Sequence, residues 1–193
     1  MKKIVLASNN KHKIKEFKEI LTNVEILTLN DIEFFDDIEE TGNTFLENAL
    51  IKASTISKYL SDKGLDYDVI ADDSGLCCTA INGAPGIYSA RYAGGHGNSK
   101  ANRDKLINEL KEKDRTAYFN CTIVLYHTDG TYDYKEGKTY GKIIDKELGD
   151  TSFGYDCIFL SDDLNKTFGE AASEDKNKVS HRYRALDQIK ELI

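Results

Sequence analysis

Within its first 60 residues this chain switches three times between short apolar runs and a helical apolar period, and that switching constrains its fold most. Lys2–Ala7 reads as a buried strand. A polar turn over Asn9–Lys13 follows, and Ile14, Phe17, Ile20 and Leu21 then fall on one helical face. Val24–Leu29 reads as a second strand, and Asp31–Glu40 is acidic and irregular, ending in Thr41-Gly42. A long helix is expected from Thr44 to Leu60, opened by the capping box Thr44-x-x-Glu47. Leu46, Ala49, Leu50, Ala53, Ile56 and Leu60 form its apolar stripe, while Thr44, Asn48 and Lys52 recur at i+4 on a separate polar face.

Further along, Asp68–Ala71 reads as a short strand broken by Asp72-Asp73-Ser74-Gly75, with Leu76–Ile81 resuming it before a turn at Asn82–Gly86. Asn102–Leu110 reads as helix. Ala117–Tyr126 alternates, with Phe119, Cys121, Ile123 and Leu125 on one side, and Asp129-Gly130 marks a hairpin. The return strand is expected over Thr131–Tyr134 and again over Gly137–Ile144. Ser180 is placed to cap a last helix whose inner face carries Leu186, Ile189 and Ile193. Interleaved strands and helices, then a long hairpin, indicate an α/β (mixed α+β) fold with an elongated central mixed sheet and flanking helices. The chain has 193 residues and no composition break marks a linker, so one domain over 1–193 is expected.

Acids outnumber bases by 33 to 26, a net charge of −7. That disfavours binding to a nucleic-acid polymer, which needs clustered Lys and Arg, but leaves room for a local basic pocket. No apolar run approaches the roughly 20 residues of a membrane-spanning helix, so no membrane partner is expected. Cys77, Cys78, Cys121 and Cys157 lack metal-site spacing. They read as reduced thiols of a cytoplasmic protein.

Five segments carry polar chemistry. Ser8-Asn9-Asn10-Lys11-His12-Lys13 lies between a strand and a helix, where free N–H groups and the helix dipole suit phosphate; it also reads as a solvated turn and cap. Asp72-Asp73-Ser74-Gly75 follows a strand, and adjacent carboxylates suit Mg²⁺ shared with substrate phosphate; an Asx-type turn is the competing reading. Glu39 and Glu40 could add a carboxylate. Lys52 lies on a polar helix face that solvent alone would also explain. In Ser152-Phe153-Gly154-Tyr155-Asp156, a glycine between aromatics lets a planar ligand approach the backbone, although the rings could equally complete a core. Lys176 with Ser180-His181-Arg182 puts cations at a helix start, where they oppose the dipole and make more sense facing an anion or a carbonyl oxygen, although a surface basic cluster would also explain them.

In this order these segments resemble the inosine triphosphate pyrophosphatase family, also described as dITP/XTP pyrophosphatases. The resemblance covers essentially the whole chain. It rests on 7–13, Glu39–Ala49, Ala71–Leu76, Gly83–Tyr92, Phe153–Asp156 and Ser180–Arg182. It implies two lobes around a central substrate cleft, a homodimer, and Mg²⁺-dependent hydrolysis of ITP, dITP or XTP to monophosphate and pyrophosphate, which clears deaminated purines from the nucleotide pool. By the same resemblance Ser8, Asn9, Asn10, Lys11, His12 and Lys13 bind the triphosphate, and Lys52 meets phosphate. Glu40 and Asp73 hold Mg²⁺ with Asp72 in support. Asp73 is also the base that activates water, and Ser74 touches substrate. Phe153, Gly154, Tyr155 and Asp156 enclose the base, with Phe153 stacking, and Lys176, His181 and Arg182 complete the pocket. Cys157 stands where the family commonly has proline, and Tyr183 where it commonly has a small residue. The rival readings are a pyrophosphatase of the same fold acting on pyrimidine or modified nucleotides, a phosphatase releasing orthophosphate, and a nucleotide sensor without turnover. Gly83–Tyr92 is expected to be structural, as part of the dimer contact.

Overall fold

The computed structural model describes residues 1–95 and 97–193. Strands β1 (Lys2–Leu6), β2 (Val24–Leu27), β3 (Asp68–Cys78), β4 (Thr116–Tyr126), β5 (Tyr132–Ile143) and β6 (Phe159–Ser161) form one mixed sheet in the order β2-β1-β3-β4-β5-β6. β1 pairs parallel to β2 and β3, and β5 pairs antiparallel to β6. The α-helices among the described residues are α1 (Lys11–Ile20), α2 (Phe45–Asp62), α3 (Ser99–Glu109), α4 (Ser173–Val179) and α5 (His181–Ile189). The expected mixed α/β fold is therefore the one observed.

The chain divides into two compact units. The first is Met1–Asp73, Cys121–Gly137 and Tyr183–Ile193; the second is Ser74–Asn120 and Lys138–Arg182. In the first unit, alternation along the strands feeds two cores. Ile4, Leu6, Ile70, Cys121, Ile123 and Leu125 pack with Phe17 of α1 and with Leu186 and Ile189 of α5. Val5, Ala7, Val69, Ala71 and Val124 pack with Ala49, Ala53, Ile56 and Leu60 of α2. Parallel strands covered on both faces are buried in this way, each large aliphatic contributing roughly 1.5–3 kcal/mol. In the second unit Leu76, Cys78, Leu106, Leu110, Phe119, Phe159 and Phe168 form the core.

The capping box is nearly as read. Thr44 Oγ1 accepts the Glu47 N–H at 3.1 Å, but Glu47 Oε2 reaches one residue further back, to the Asn43 N–H at 2.6 Å. The hairpin turns at Gly130 (φ 86°), with the His127 N–H on Thr131 O at 2.8 Å. Two strand readings need correction. β3 runs unbroken through Asp72-Asp73-Ser74-Gly75, and β5 is one strand rather than two. Asp, Ser and Gly are poor strand formers; in β3 they are held because the side chains of Asp72 and Asp73 find charged and amide partners. Helix α4 is too short to show a period in the sequence.

All four cysteines are free and buried. Burial, aided by the neighbouring Cys77, pushes the Cys78 thiol up to about 12, and the thiolate is the reactive form. At pH 8 the native protein should therefore label slowly with an alkylating reagent, whereas guanidinium should expose four thiols. Rapid labelling of Cys78 in the native state would contradict this burial.

Candidate active site

In the first unit the chain leaves β1, with the Ala7 N–H on Ile70 O at 2.9 Å, and turns through Ser8, Asn9 and Asn10 into α1. Ser8 Oγ accepts the Asn10 N–H at 3.2 Å. Asn10 Oδ1 accepts the N–H groups of His12 at 3.0 Å and Lys13 at 3.2 Å. This is an N-cap, so two first-turn donors of α1 are already spent on the chain's own side chain. Asn9, Lys11 and His12 are exposed. Lys13 turns inward, its Nζ 3.0 Å from Asp72 Oδ2.

Consecutive strand side chains point to opposite faces, and this separates Asp72 from Asp73. Asp72 shares a face with Ile70 and meets Lys13 and the thiol of Cys121, which donates to its Oδ2 at 3.9 Å. Asp73 shares a face with Val69 and Ala71, towards α2. There Asn48 Nδ2 donates to Asp73 Oδ2 at 3.0 Å, and Lys52 Nζ lies 3.9 Å from Asp73 Oδ1. The same Lys52 Nζ is 2.6 Å from Glu40 Oε1. The polar face read on α2 therefore looks inward: Asn48 is 0% exposed and Lys52 8%.

Asn48 also ties the Glu40 loop to α2, because its Oδ1 accepts the Gly42 N–H at 2.8 Å. Only glycine fits at 42. A Cβ there would lie 2.6 Å from Glu47 Cβ and 2.9 Å from Asn48 N. Asn48 and Cys121 stand out in the sequence by their spacing alone, and nothing there distinguishes them as partners of the two aspartates.

Burial drives the Asp73 carboxyl above its ordinary range, against the pull of Lys52 and Lys13. For Lys52 burial acts downwards, yet Asp73, Asp72 and Glu40 together overcome it and keep the ammonium charged. Asp72 lies on the opposite strand face from Asp73, and no cluster of three or more His, Cys, Asp or Glu side chains stands ready for a metal among the described residues. Glu40 and Asp73 nonetheless offer two hard oxygen donors around one positive charge. That donor set fits an ion such as Mg²⁺, which takes one or two protein carboxylates and completes its shell with water and phosphate.

In the second unit, Lys176 Nζ bonds Asp156 Oδ2 at 2.6 Å and lies 5.5 Å from the Phe153 ring centroid and 5.6 Å from that of Phe168. The His181 ring stacks on Phe119 at 4.8 Å and 15°. Arg182, 2% exposed, donates from Nη2 to Ser74 Oγ at 3.1 Å. Tyr155 is buried, with its hydroxyl on Ser89 O at 2.8 Å, and Gly154 takes φ 51°, a conformation costly for residues with a Cβ. Ser180 is extended (φ −66°, ψ 154°) between α4 and α5. The structure thus joins Phe153, Asp156 and Lys176 in one cluster, and Ser74 with Arg182 in another. The Gly83–Tyr92 segment braces the end of β3, since Ser89 Oγ accepts the Leu76 N–H at 2.9 Å and donates to Gly86 O at 2.6 Å.

A family model described as the Ham1 family matches residues 4–192. A dITP/XTP pyrophosphatase of Clostridium perfringens is 51% identical over 99% of this chain and 97% of its own. One of Bacillus subtilis is 41% identical over 100% and 98%. The solved structure of the Staphylococcus aureus Ham1 protein superposes with a TM-score of 0.86 at 41% identity, over 99% of this chain and 97% of that one.

Two outcomes follow from this geometry. Gly42→Ala should destabilise the protein by about 1–3 kcal/mol through overpacking, seen as a lower melting temperature. Asp73 binds its proton more tightly folded than unfolded. It therefore favours folding fully below the ordinary value of 3.8 and loses that contribution as pH rises through its raised folded value. In the presence of a chelator, Asp73→Asn should thus melt no lower than wild type at neutral pH, with the gap closing on acidification. A gap that widened on acidification would show the shift to run the other way.

Proposed function

This chain belongs to the Ham1 family, and on that premise we propose that it hydrolyses ITP, dITP and XTP to the monophosphate and pyrophosphate. The observation that carries the reading is Asp73, oriented by Asn48 on one oxygen and facing Lys52 on the other. A carboxylate whose proton affinity is raised and whose orientation is fixed suits a general base. We assign it the proton of a water that attacks the α-phosphorus. Lys52 and Lys13 supply positive charge to phosphate oxygens, as phosphoryl chemistry demands positioning and charge neutralisation. Ser8, Asn9, Asn10, Lys11 and His12 are assigned to the rest of the triphosphate.

Mg²⁺, held by Glu40 and Asp73, would neutralise charge on phosphate. Asp72, on the other strand face, supports the site by holding Lys13. In the second unit, Phe153 offers a stacking face and Gly154, Tyr155, Asp156 and Lys176 frame it. His181 shapes the pocket, and Arg182 offers donors to the 6-oxo group of hypoxanthine or xanthine, beside Ser74. Adenine presents a 6-amino donor there, and a site left with an unanswered donor rejects it. We take 1–193 as one catalytic domain, a homodimer and a cytoplasmic protein, on the family's pattern.

Product analysis with ITP, dITP, XTP, ATP, GTP and dTTP tests this directly. Pyrophosphate and monophosphate should form selectively from the first three. Turnover centred on pyrimidine nucleotides would discard the role of Arg182, orthophosphate release would discard the reaction, and binding without turnover would make the chain a sensor. Asp73→Asn should lose about 100- to 10,000-fold in kcat, the usual worth of a general base. Arg182→Gln should lose about 10- to 100-fold on ITP, the scale of one charge-assisted hydrogen bond.

A further inference from the structure

Asn102 and Arg103 are adjacent on α3, both buried, and neither takes part in the reaction above. A buried guanidinium is costly unless its charge and its donors are answered. Arg103 is 3% exposed. Its Nε donates to Glu147 Oε1 at 2.8 Å, and its Nη1 donates to the carbonyls of Gly154 at 2.8 Å and Thr151 at 3.4 Å. One rigid fork therefore grips both ends of Thr151–Gly154, the stretch that carries Phe153.

Asn102 acts on the following residue by relay. Its Nδ2 donates to the carbonyls of Ala90 at 3.2 Å and Ser89 at 3.4 Å, and its Oδ1 accepts the Ala93 N–H at 2.7 Å. The Ser89 carbonyl so held accepts the Tyr155 hydroxyl at 2.8 Å. Two neighbouring side chains on one helix thus anchor the backbone on both sides of Phe153.

We propose that Arg103, supported by Asn102, is a positioning residue for base recognition: it sets where the Phe153 ring lies, and hence which base is accepted, without touching substrate. The proposal rests on Phe153–Asp156 being the base-binding segment of the function above. Lysine cannot replace Arg103, because a single ammonium lacks the planar fork that spans a carboxylate and two carbonyls. A segment fixed before the base arrives also loses less freedom on binding.

The test compares full-length wild type, Arg103→Lys and Glu147→Gln for kcat and KM on ITP and GTP, for inhibition by pyrophosphate, and for amide exchange over 151–155. In folded Arg103→Lys, KM for ITP should rise about tenfold and the preference for ITP over GTP should fall about tenfold, with kcat within about threefold. Inhibition by pyrophosphate, which lacks a base, should stay within about twofold, and exchange over 151–155 should quicken. Glu147→Gln should move the same quantities less, and it decides the matter if Arg103→Lys fails to fold. Unchanged KM and base preference in the folded variant would overturn the proposal, as would a fall in kcat alone or an equal loss of pyrophosphate binding. If wild type itself fails to prefer ITP over GTP, the function proposed above fails. The positioning role is then read from amide exchange and from the variants' KM for whichever nucleotide wild type hydrolyses.

Discussion

Buried charge is tolerable at Lys52 and Arg103 because each is met by a charge of opposite sign, and the site is organised by that requirement. Lys52 is carried inward on α2 with only a small part of its surface exposed. It is stable there because Glu40 and Asp73 face it. The same condition governs Lys13 against Asp72, Lys176 against Asp156 and Arg103 against Glu147. Lys52 keeps Glu40 when Asp73 is neutralised, but removing the last counter-charge of such a group strands it, which is why these positions are more constrained than their surface-favouring residue types suggest.

The strand pleat does the sorting. Two adjacent aspartates in a loop would compete for one neighbourhood. Inside β3 they are sent to opposite faces, where each meets a different lysine from a different helix. Asp73 then has a fixed orientation and a raised proton affinity, while Asp72 is the counter-charge of Lys13. The division of labour between identical residue types follows from a two-residue period.

Much of this is legible in the sequence. The α2 stripe, the capping residue Thr44, the Asp129-Gly130 hairpin and the mixed sheet all follow from period and turn chemistry, and the lysines and aspartates at the site are marked by their segments. The features that stay hidden are those whose reasons lie in tertiary contacts. The strand at Asp72–Gly75 runs against local propensity, since partners supply what the residues lack. Asn48 and Lys52 read as a polar face, but a helical wheel cannot say whether such a face meets solvent or a buried carboxylate. Arg103 sits in a helix whose only sequence signal is its helicity, and its partners lie 44 to 51 residues away.

The Asn10 cap has a consequence for how the protein meets an anion. Because Asn10 closes the first turn of α1 itself, that turn is complete without ligand and needs no ordering on arrival. For the triphosphate assigned to this turn, the attraction would come from the exposed Lys11 rather than from the two capped N–H groups. Exposed point charges act through solvent and are muted by dissolved salt within about 10 Å at 0.1 M. On the function proposed above, capture at this end of the site is an ionic-strength-sensitive encounter on a pre-built scaffold, faster in dilute buffer and slower as counter-ions crowd Lys11.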